Sequence, residues 1–169
     1  VIGGGGLIGS HTVDRLCQED VESIVIYDNF FRGREENLRD ALRDPRVSIH
    51  EVGGDLLHTD ILSDAMKGID GVFHFGGINL FDDIRLAITE MARVTKPGGR
   101  VVFGDESVAP WLRDTDRGRA AICNNSLWKV QTPIDLLPEN ATDVNLSWVL
   151  GNCFYLIAFK TRAAFNYAI

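Results

Sequence analysis

Val1-Ile2-Gly3-Gly4-Gly5-Gly6-Leu7-Ile8-Gly9-Ser10 opens the chain: an apolar pair runs into four glycines and then into the start of an amphipathic helix. Gly3, Gly6 and Gly9 fit the spacing G-x-x-G-x-x-G, and Gly4, Gly6 and Gly9 fit G-x-G-x-x-G. A strand-to-helix turn of this kind uses glycine because the chain reverses sharply, a pyrophosphate must approach bare backbone, and the helix lies close on its strand. Amides around Leu7 and Ile8 would then face the phosphates at the positive end of the helix dipole. The next apolar run, Ile24-Val25-Ile26-Tyr27, ends at Asp28. That is close to the spacing of about twenty residues at which a carboxylate can hold ribose hydroxyls. The competing reading is glycine used only for tight strand–helix packing.

Outward from this stretch, strand-like and helix-like segments alternate, which favours a parallel sheet covered on both faces. Helical periodicity predicts a first helix over 7–19, with Thr12, Val13, Leu16 and Cys17 on one face. A strand at 23–27, a short helix at 35–43 and a strand at 46–52 follow. The next helix is capped by Thr59 or Asp60, buries Ile61, Leu62, Ala65 and Met66, and ends at Gly68. A strand at 71–75 precedes a longer helix at 81–95, whose Ile84, Ala87, Ile88, Met91 and Ala92 recur at helical spacing before Pro97-Gly98-Gly99 stops it. After a strand at 100–104, the stretch 105–142 is less regular and holds one helix near 110–123. Two β-rich runs, 143–149 and 153–160, flank Leu150-Gly151-Asn152 and read as an antiparallel hairpin. The fold expected is α/β: a three-layer Rossmann-like sandwich, its sheet mostly parallel with a C-terminal antiparallel hairpin, in the order 3-2-1-4-5-7-6. Only Val1 and Ile2 precede the glycines, so either residues stand upstream of Val1 or the central strand is short.

At 169 residues the chain suits a single domain. A formal charge of −7 argues against nucleic acid or an anionic membrane surface as partner. No apolar run approaches a membrane span and no signal peptide is visible, so a cytoplasmic location is expected. Cys17, Cys123 and Cys153 are widely spaced and read as reduced thiols. His11, His50, His58 and His74 lack metal-ligand spacing, so no metal site is expected.

The first half resembles the extended short-chain dehydrogenase/reductase family, the NAD-dependent epimerases and dehydratases of nucleotide sugars. The likeness covers residues 1 to about 75 and rests on the opening loop through His11, on Tyr27-Asp28-Asn29-Phe30-Phe31-Arg32-Gly33-Arg34-Glu35-Glu36-Asn37-Leu38, and on Gly54-Asp55-Leu56. The resemblance implies that Asp28 takes the adenosine ribose and Asp55 the adenine. An acid at Asp28 also disfavours a 2′-phosphate, since two anions would be forced together, so NAD is preferred over NADP. The family's Tyr-x-x-x-Lys is missing: four residues after Tyr27 stands Phe31, four after Tyr155 stands Phe159, and Lys160 falls one place late. Without it no acid or base is placed for hydride chemistry at a hydroxyl-bearing carbon, and no catalytic residue is assigned.

From about Gly76 the chain instead resembles the later part of class I S-adenosylmethionine-dependent methyltransferases. Gly76-Gly77-Ile78-Asn79-Leu80-Phe81-Asp82-Asp83 and Glu90-Met91-Ala92-Arg93-Val94-Thr95-Lys96-Pro97-Gly98-Gly99-Arg100-Val101-Val102 carry that likeness, as does the terminal hairpin. The two halves, 1–75 and 76–169, meet between Gly71 and Ile78 and read as a chimera, engineered in preference to naturally recombined. Each half lacks what the other would need, so binding without turnover is expected. The expected cofactor set is Gly3, Gly6, Leu7, Ile8, Gly9, Asp28, Asn29, Phe30, Asp55, Leu56, Phe75, Gly76 and Gly77. The ligand that the resemblance of the first half implies is NAD, with S-adenosylmethionine or an inert scaffold as alternatives. Halves not selected against each other leave cavities or strain, so modest stability is expected, with an exposed apolar patch or a homodimer contact.

Among the remaining residues, His74 reads as a packed strand-end histidine. Asp105-Glu106 reads as a solvated helix start or, less simply, as a pair contacting substrate at the edge where such sheets bind ligands. Trp111, Trp128 and Trp148 read as core or lid packing. The segment 32–37 reads as a solvated turn from which Arg32 or Asn37 could reach the ribose. Arg113, Arg117 and Arg119 with Asp114 and Asp116 read as a solvated face.

Overall fold

The computed structural model describes residues 1–50, 63, 65–66 and 68–162. The first helix, α1 (Leu7–Leu16), begins at Gly6, which no side chain caps, and buries Gly9, Ser10 and Val13. It ends short of residue 19 because its last turn tightens: the amides of Gln18 and Glu19 donate three residues back, to Arg15 and Leu16. Two short parallel strands, β1 (Ile24–Ile26) and β2 (Val47–Ile49), pair with Ile24 opposite Val47. Where one helix was expected at 35–43, two 3₁₀ turns occur, Glu35–Leu38 and Ala41–Arg43. Leu38 and Ala41 still reach the cluster formed by Val13, Ile24, Ile26 and Val47, so burial survives the break in hydrogen bonding.

In the second half, β3 (Ile69–Phe75) runs parallel to β4 (Thr95–Glu106), with α2 (Ile84–Val94) between them in sequence. The Asp83 carboxylate accepts the Leu86 amide at 2.8 Å and caps α2, whose Ala87, Ile88, Met91 and Ala92 are buried as their spacing predicts. The helix expected at 110–123 opens as a 3₁₀ turn, Pro110–Leu112, and becomes α3 (Asp116–Asn124) only after Thr115 caps it. The chain closes on the antiparallel pair β5 (Ala141–Val149) and β6 (Phe154–Thr161), and β6 also lies antiparallel along β4. Leu150, Gly151 and Asn152 all take positive φ (49°, 74° and 63°), which makes the turn between them tight.

The ladders are β1-β2 and β3-β4-β6-β5, and the short opening segment joins them. Ile2 bridges Tyr27 on one side and His74 on the other, both in parallel. Its amide donates to Phe73 O at 2.9 Å, the Gly3 amide to Tyr27 O at 2.8 Å, and the Val1 amino group to Val25 O at 2.6 Å. Burial pushes that amino group down to about 5. Counting this segment as the first strand, the order is the expected 3-2-1-4-5-7-6. The larger core gathers Ile2, Val72, Ile78, Ile88, Met91, Val101, Phe103, Tyr155, Ile157 and Phe159. A cleft of about 690 Å³, lined by Val1, Ile24, Ile69, Val72 and Lys96 among others, opens at the N-terminal ends of the strands, away from the glycine loop. Among the described residues no helix is long and apolar enough to cross a membrane, and no group of three or more His, Cys, Asp or Glu is placed to hold a metal.

Candidate functional site

Parallel strands deliver their C-terminal ends to one edge of the sheet, so the loops after Ile2, β1, β3 and β4 gather there. This is where open α/β sheets bind ligands. β2 also ends at this edge, but Asp55 and Leu56 lie outside the described residues.

The glycine loop is held from the neighbouring strand exit. Gly3 takes φ +70°, a conformation that L side chains rarely adopt, and its carbonyl accepts the Gly6 amide at 3.1 Å. A Cβ on Gly9 would overlap the Gly3 carbonyl oxygen, so α1 lies against the loop at the closest approach that backbone allows. Gly5 is clamped at both backbone groups. Its amide donates to Asp28 Oδ2 at 2.8 Å, and its carbonyl accepts the Arg34 amide at 2.9 Å and Asn37 Nδ2 at 2.8 Å. Asp28 Oδ1 accepts the Phe30 amide at 2.7 Å, and the Phe30 ring lies over Gly5, where a Cβ would come within 2.7 Å of it. Asn29 turns outward, its Oδ1 accepting the Phe31 amide at 3.1 Å.

Of the predicted set, Gly3, Gly6, Gly9, Asp28 and Phe30 therefore form one unit. Gly5, Gly33 and Asn37, absent from the predicted set, complete it. Asn37 holds the loop, so the segment 32–37 is not simply a solvated turn. The spacing from Asp28 to Gly33 and Asn37 was the available signal, but only the tertiary arrangement shows that both fold back over Gly5.

The front of this loop is open to solvent and carries no capping side chain. Leu7 and Ile8 head α1, their side chains 74% and 41% exposed, and no acidic residue stands in the helix's first turn. The fit at Asp28 is tighter. It is 8% exposed, each carboxylate oxygen already accepts one amide, and a Cβ on Gly33 would stand 2.9 and 3.1 Å from the two oxygens. One acceptor direction on each oxygen remains for ribose hydroxyls.

The exits of β3 and β4 form a second group. Gly76 and Gly77 are left-handed (φ 82° and 91°), with open space where side chains would stand, and the Gly76 amide donates to Gly104 O at 2.9 Å. Phe75 stacks on Phe154, ring centroids 5.8 Å apart, and Trp128 meets Phe154 edge-on at 6.4 Å. Asp105 is wholly buried rather than opening a solvated helix, because β4 continues two residues further by pairing Asp105 with Tyr155 and Glu106 with Phe154. Asp105 Oδ2 accepts the Asn79 amide at 2.7 Å and Oδ1 the Glu106 amide at 2.9 Å. Tyr155 donates to Asn79 Oδ1 at 3.1 Å, and Asn79 Nδ2 to Glu106 O at 2.8 Å.

A hydrogen bond from the Glu106 carboxyl to Asp105, with burial and the charge of Asp105, raises Glu106 to about 7, while Arg32 acts in the opposite direction. Burial and the same two carboxylates raise the Tyr155 phenol, keeping it neutral. His74 is packed, as expected, 5% exposed beside Phe81, and burial lowers it to about 4; neither ring nitrogen has a hydrogen-bond partner. Arg113 does not stay on a solvated face. It donates to Val108 O, Ser107 Oγ and Val130 O, and so pins the stretch after β4, whereas Arg119 pairs with Asp116 in solvent.

The family model for the NAD dependent epimerase/dehydratase family matches residues 1–93, past the Gly71–Ile78 bracket. UDP-glucuronic acid decarboxylase 1 of Arabidopsis thaliana is 39% identical over 74 residues, 44% of this chain and 15% of that protein. UDP-glucose 4-epimerase of Lacticaseibacillus casei is 34% identical over 82 residues, 47% of this chain and 22% of that protein. The chain thus spans about a fifth of the length of these relatives. In structure it is similar to an O-methyltransferase family protein from Burkholderia thailandensis, with a TM-score of 0.67 and 17% identity over 96% of this chain and 50% of that one. It is also similar to the N-methyltransferase NodS from Bradyrhizobium japonicum WM9 in complex with S-adenosyl-L-homocysteine, with a TM-score of 0.61 and 18% identity over 95% of this chain and 75% of that one. Epimerase-type sequence thus occupies the first part of a chain whose whole fold is methyltransferase-like.

Proposed function

The chain belongs to the NAD dependent epimerase/dehydratase family over residues 1–93, and from that premise we propose that it holds an NAD-type dinucleotide over the glycine loop and turns nothing over. The observation that carries this reading is the Asp28 clamp on Gly5, which holds the loop in place while no side chain caps the head of α1. Gly3, Gly6 and Gly9 admit the pyrophosphate, and the Leu7 and Ile8 amides bind it. Asp28, with Asn29 and Phe30 beside it, receives the adenosine ribose, and Asp55 and Leu56 the adenine. Phe75, Gly76 and Gly77 border the far end. The carboxylate at Asp28 ranks NAD above NADP by repelling a 2′-phosphate. Bound NAD supplies a hydride acceptor; nowhere in these 169 residues does a Tyr-x-x-x-Lys stand ready to move the accompanying proton.

We further infer that the chain is a chimera, engineered in origin, of an epimerase-like half (1–75) and a methyltransferase-like half (76–169). Both fold types share the order of their first five strands, so a junction at β3 preserves the sheet. The three free thiols accord with a cytoplasmic location, and the exposed Leu7, Phe31 and Leu80 with a homodimer.

The second reading, S-adenosylmethionine, is favoured by the likeness of the whole fold to methyltransferases. Thermal melting with NAD, NADP and S-adenosylmethionine separates the two. A ligand at a hundred times its Kd adds about 2.7 kcal/mol, or about 5–11 °C for a domain of this size. A shift with NAD above that with NADP supports the proposal. No shift with NAD at millimolar concentration refutes it, and a shift with S-adenosylmethionine alone transfers the site to the second reading.

A further inference from the structure

We propose that the gap between β1 and β3, at the N-terminal edge of the sheet, binds an extended peptide. The peptide enters parallel to both strands, ends in two apolar residues, and sets its terminal carboxylate against the Val1 amino group. This site lies at the opposite edge of the sheet from the glycine loop and goes beyond the dinucleotide reading.

The backbone points to it first. Ile2 bridges Tyr27, just past β1, and His74 of β3. Where Ile2 stands, the two flanking chains are therefore two strand spacings apart, about 9.6 Å. Toward the N-terminal edge, among the described residues, no strand lies between them. The cleft of about 690 Å³ takes that place, with Ser23, Ile24 and Val25 on one wall and Gly71, Val72 and Phe73 on the other. In a strand, the N–H and C=O of one residue point to the same side. Val25 O accepts the Val1 amino group at 2.6 Å, and Phe73 O accepts the Ile2 amide at 2.9 Å. The N–H groups of Val25 and Phe73 therefore also point into the gap, and among the described residues neither finds an acceptor. Both residues are half-buried, and backbone donors so placed call for a partner. A strand that continues the Ile2 register backwards supplies one for each. Its terminal carboxylate accepts the Phe73 amide, its last N–H donates to Gly71 O, and the carbonyl before it accepts the Val25 amide.

The same register fixes the side chains. The last one falls between Val25 and Val72, on the face that buries Ile2. The one before it falls between Ile24 and Gly71, where the glycine leaves room. Both walls are apolar and strand-like, so both positions suit β-branched residues. The carboxylate is selected by the Val1 amino group, a donor that burial has stripped of water. At the mouth, Lys96 and Asp70 pair with each other, and Asp20 and Glu22 outweigh Arg100, so a lysine at the outer end of the peptide is drawn there.

The test is NMR titration of the full chain with acetyl-Lys-Thr-Ile-Val bearing a free carboxylate, reading Kd and the hydrogen exchange of individual amides. One control peptide carries an N-methyl group on its last amide nitrogen, and a second ends in a carboxamide. Support consists of sub-millimolar binding, exchange at the Val25 and Phe73 amides slowed at least about tenfold, no binding of the N-methyl peptide, and about tenfold weaker binding of the carboxamide. No binding at millimolar peptide, binding without protection of those two amides, or equal binding of either control overturns the proposal. So does slow exchange of both amides in the free chain, since another stretch of chain or a second copy then already fills the gap. The controls all lie in the ligand, so no variant has to fold. NAD is absent throughout, so failure here leaves the glycine-loop reading standing.

Discussion

Asp28→Ala is the perturbation that most directly probes how the glycine loop is held. The carboxylate accepts two backbone amides, Gly5 at 2.8 Å on Oδ2 and Phe30 at 2.7 Å on Oδ1, and the residue is 8% exposed. Hydrogen bonds to a charged acceptor contribute about 1.5–3 kcal/mol each. The Gly5 bond is buried and counts in full. The Phe30 bond is partly solvent-accessible, and water replaces part of it. Loss of both costs about 3 kcal/mol, or about 6–12 °C in Tm for a chain of this length. Asp28→Asn keeps one acceptor oxygen and turns an amide donor toward the other N–H, so it costs about half as much. Circular dichroism melts of the three proteins at one pH measure the series, and the expected order of Tm is Asp28, then Asn, then Ala. An Asp28→Ala variant melting within about 1 °C of the parent refutes the clamp. In that case the carboxylate is present for ligand alone, and only nucleotide affinity will fall.

Gly9→Ala drives a methyl into the Gly3 carbonyl and is expected to cost about 1–3 kcal/mol and to abolish any melting shift with NAD, read in the same assay. His74 and Glu106 give opposite pH dependences. His74 is lowered to about 4 in the fold, so stability is lost as pH falls from 6.5 towards 4. His74→Leu removes two unpartnered buried atoms, flattens that slope and gains about 1–2 kcal/mol at pH 7 by urea unfolding. Glu106 is raised to about 7, so the fold favours its protonated form and stability is lost as pH rises from about 4.5 to 7. Discounted for its exposure, this amounts to about 1 kcal/mol, which Glu106→Gln recovers at pH 7.5 and not at pH 4.5. The parent is expected to melt well below 90 °C, and a scan in the absence of ligand checks this.

Much of the architecture is legible in local pattern because local pattern is what causes it. Ile84, Ala87, Ile88, Met91 and Ala92 recur at helical spacing, and the turn at Leu150-Gly151-Asn152 forces a reversal, so α2 and the β5–β6 hairpin follow from the amino acids alone. The glycines declare a tight strand-to-helix turn for a similar reason: Gly3 takes a left-handed φ, and a Cβ on Gly9 would overlap the Gly3 carbonyl oxygen. Boundaries were less readable. The segments 35–43 and 110–123 carry helical patterns too weak to choose between α and 3₁₀ bonding, and packing of Leu38 and Ala41 chose.

What the amino-acid order determined unaided, then, was the element sequence, the glycine turn and the acid one strand away. Only the tertiary structure decided what those groups touch. Asp28 is spent largely on Gly5 and Phe30, Asn37 closes on the loop from 32 residues away, and Asp105 is buried because β6 arrives alongside to prolong β4. Each of these depends on strands brought together from distant parts of the chain. Burial and hydrogen-bond partnership belong to that assembled neighbourhood and not to the local run of residues.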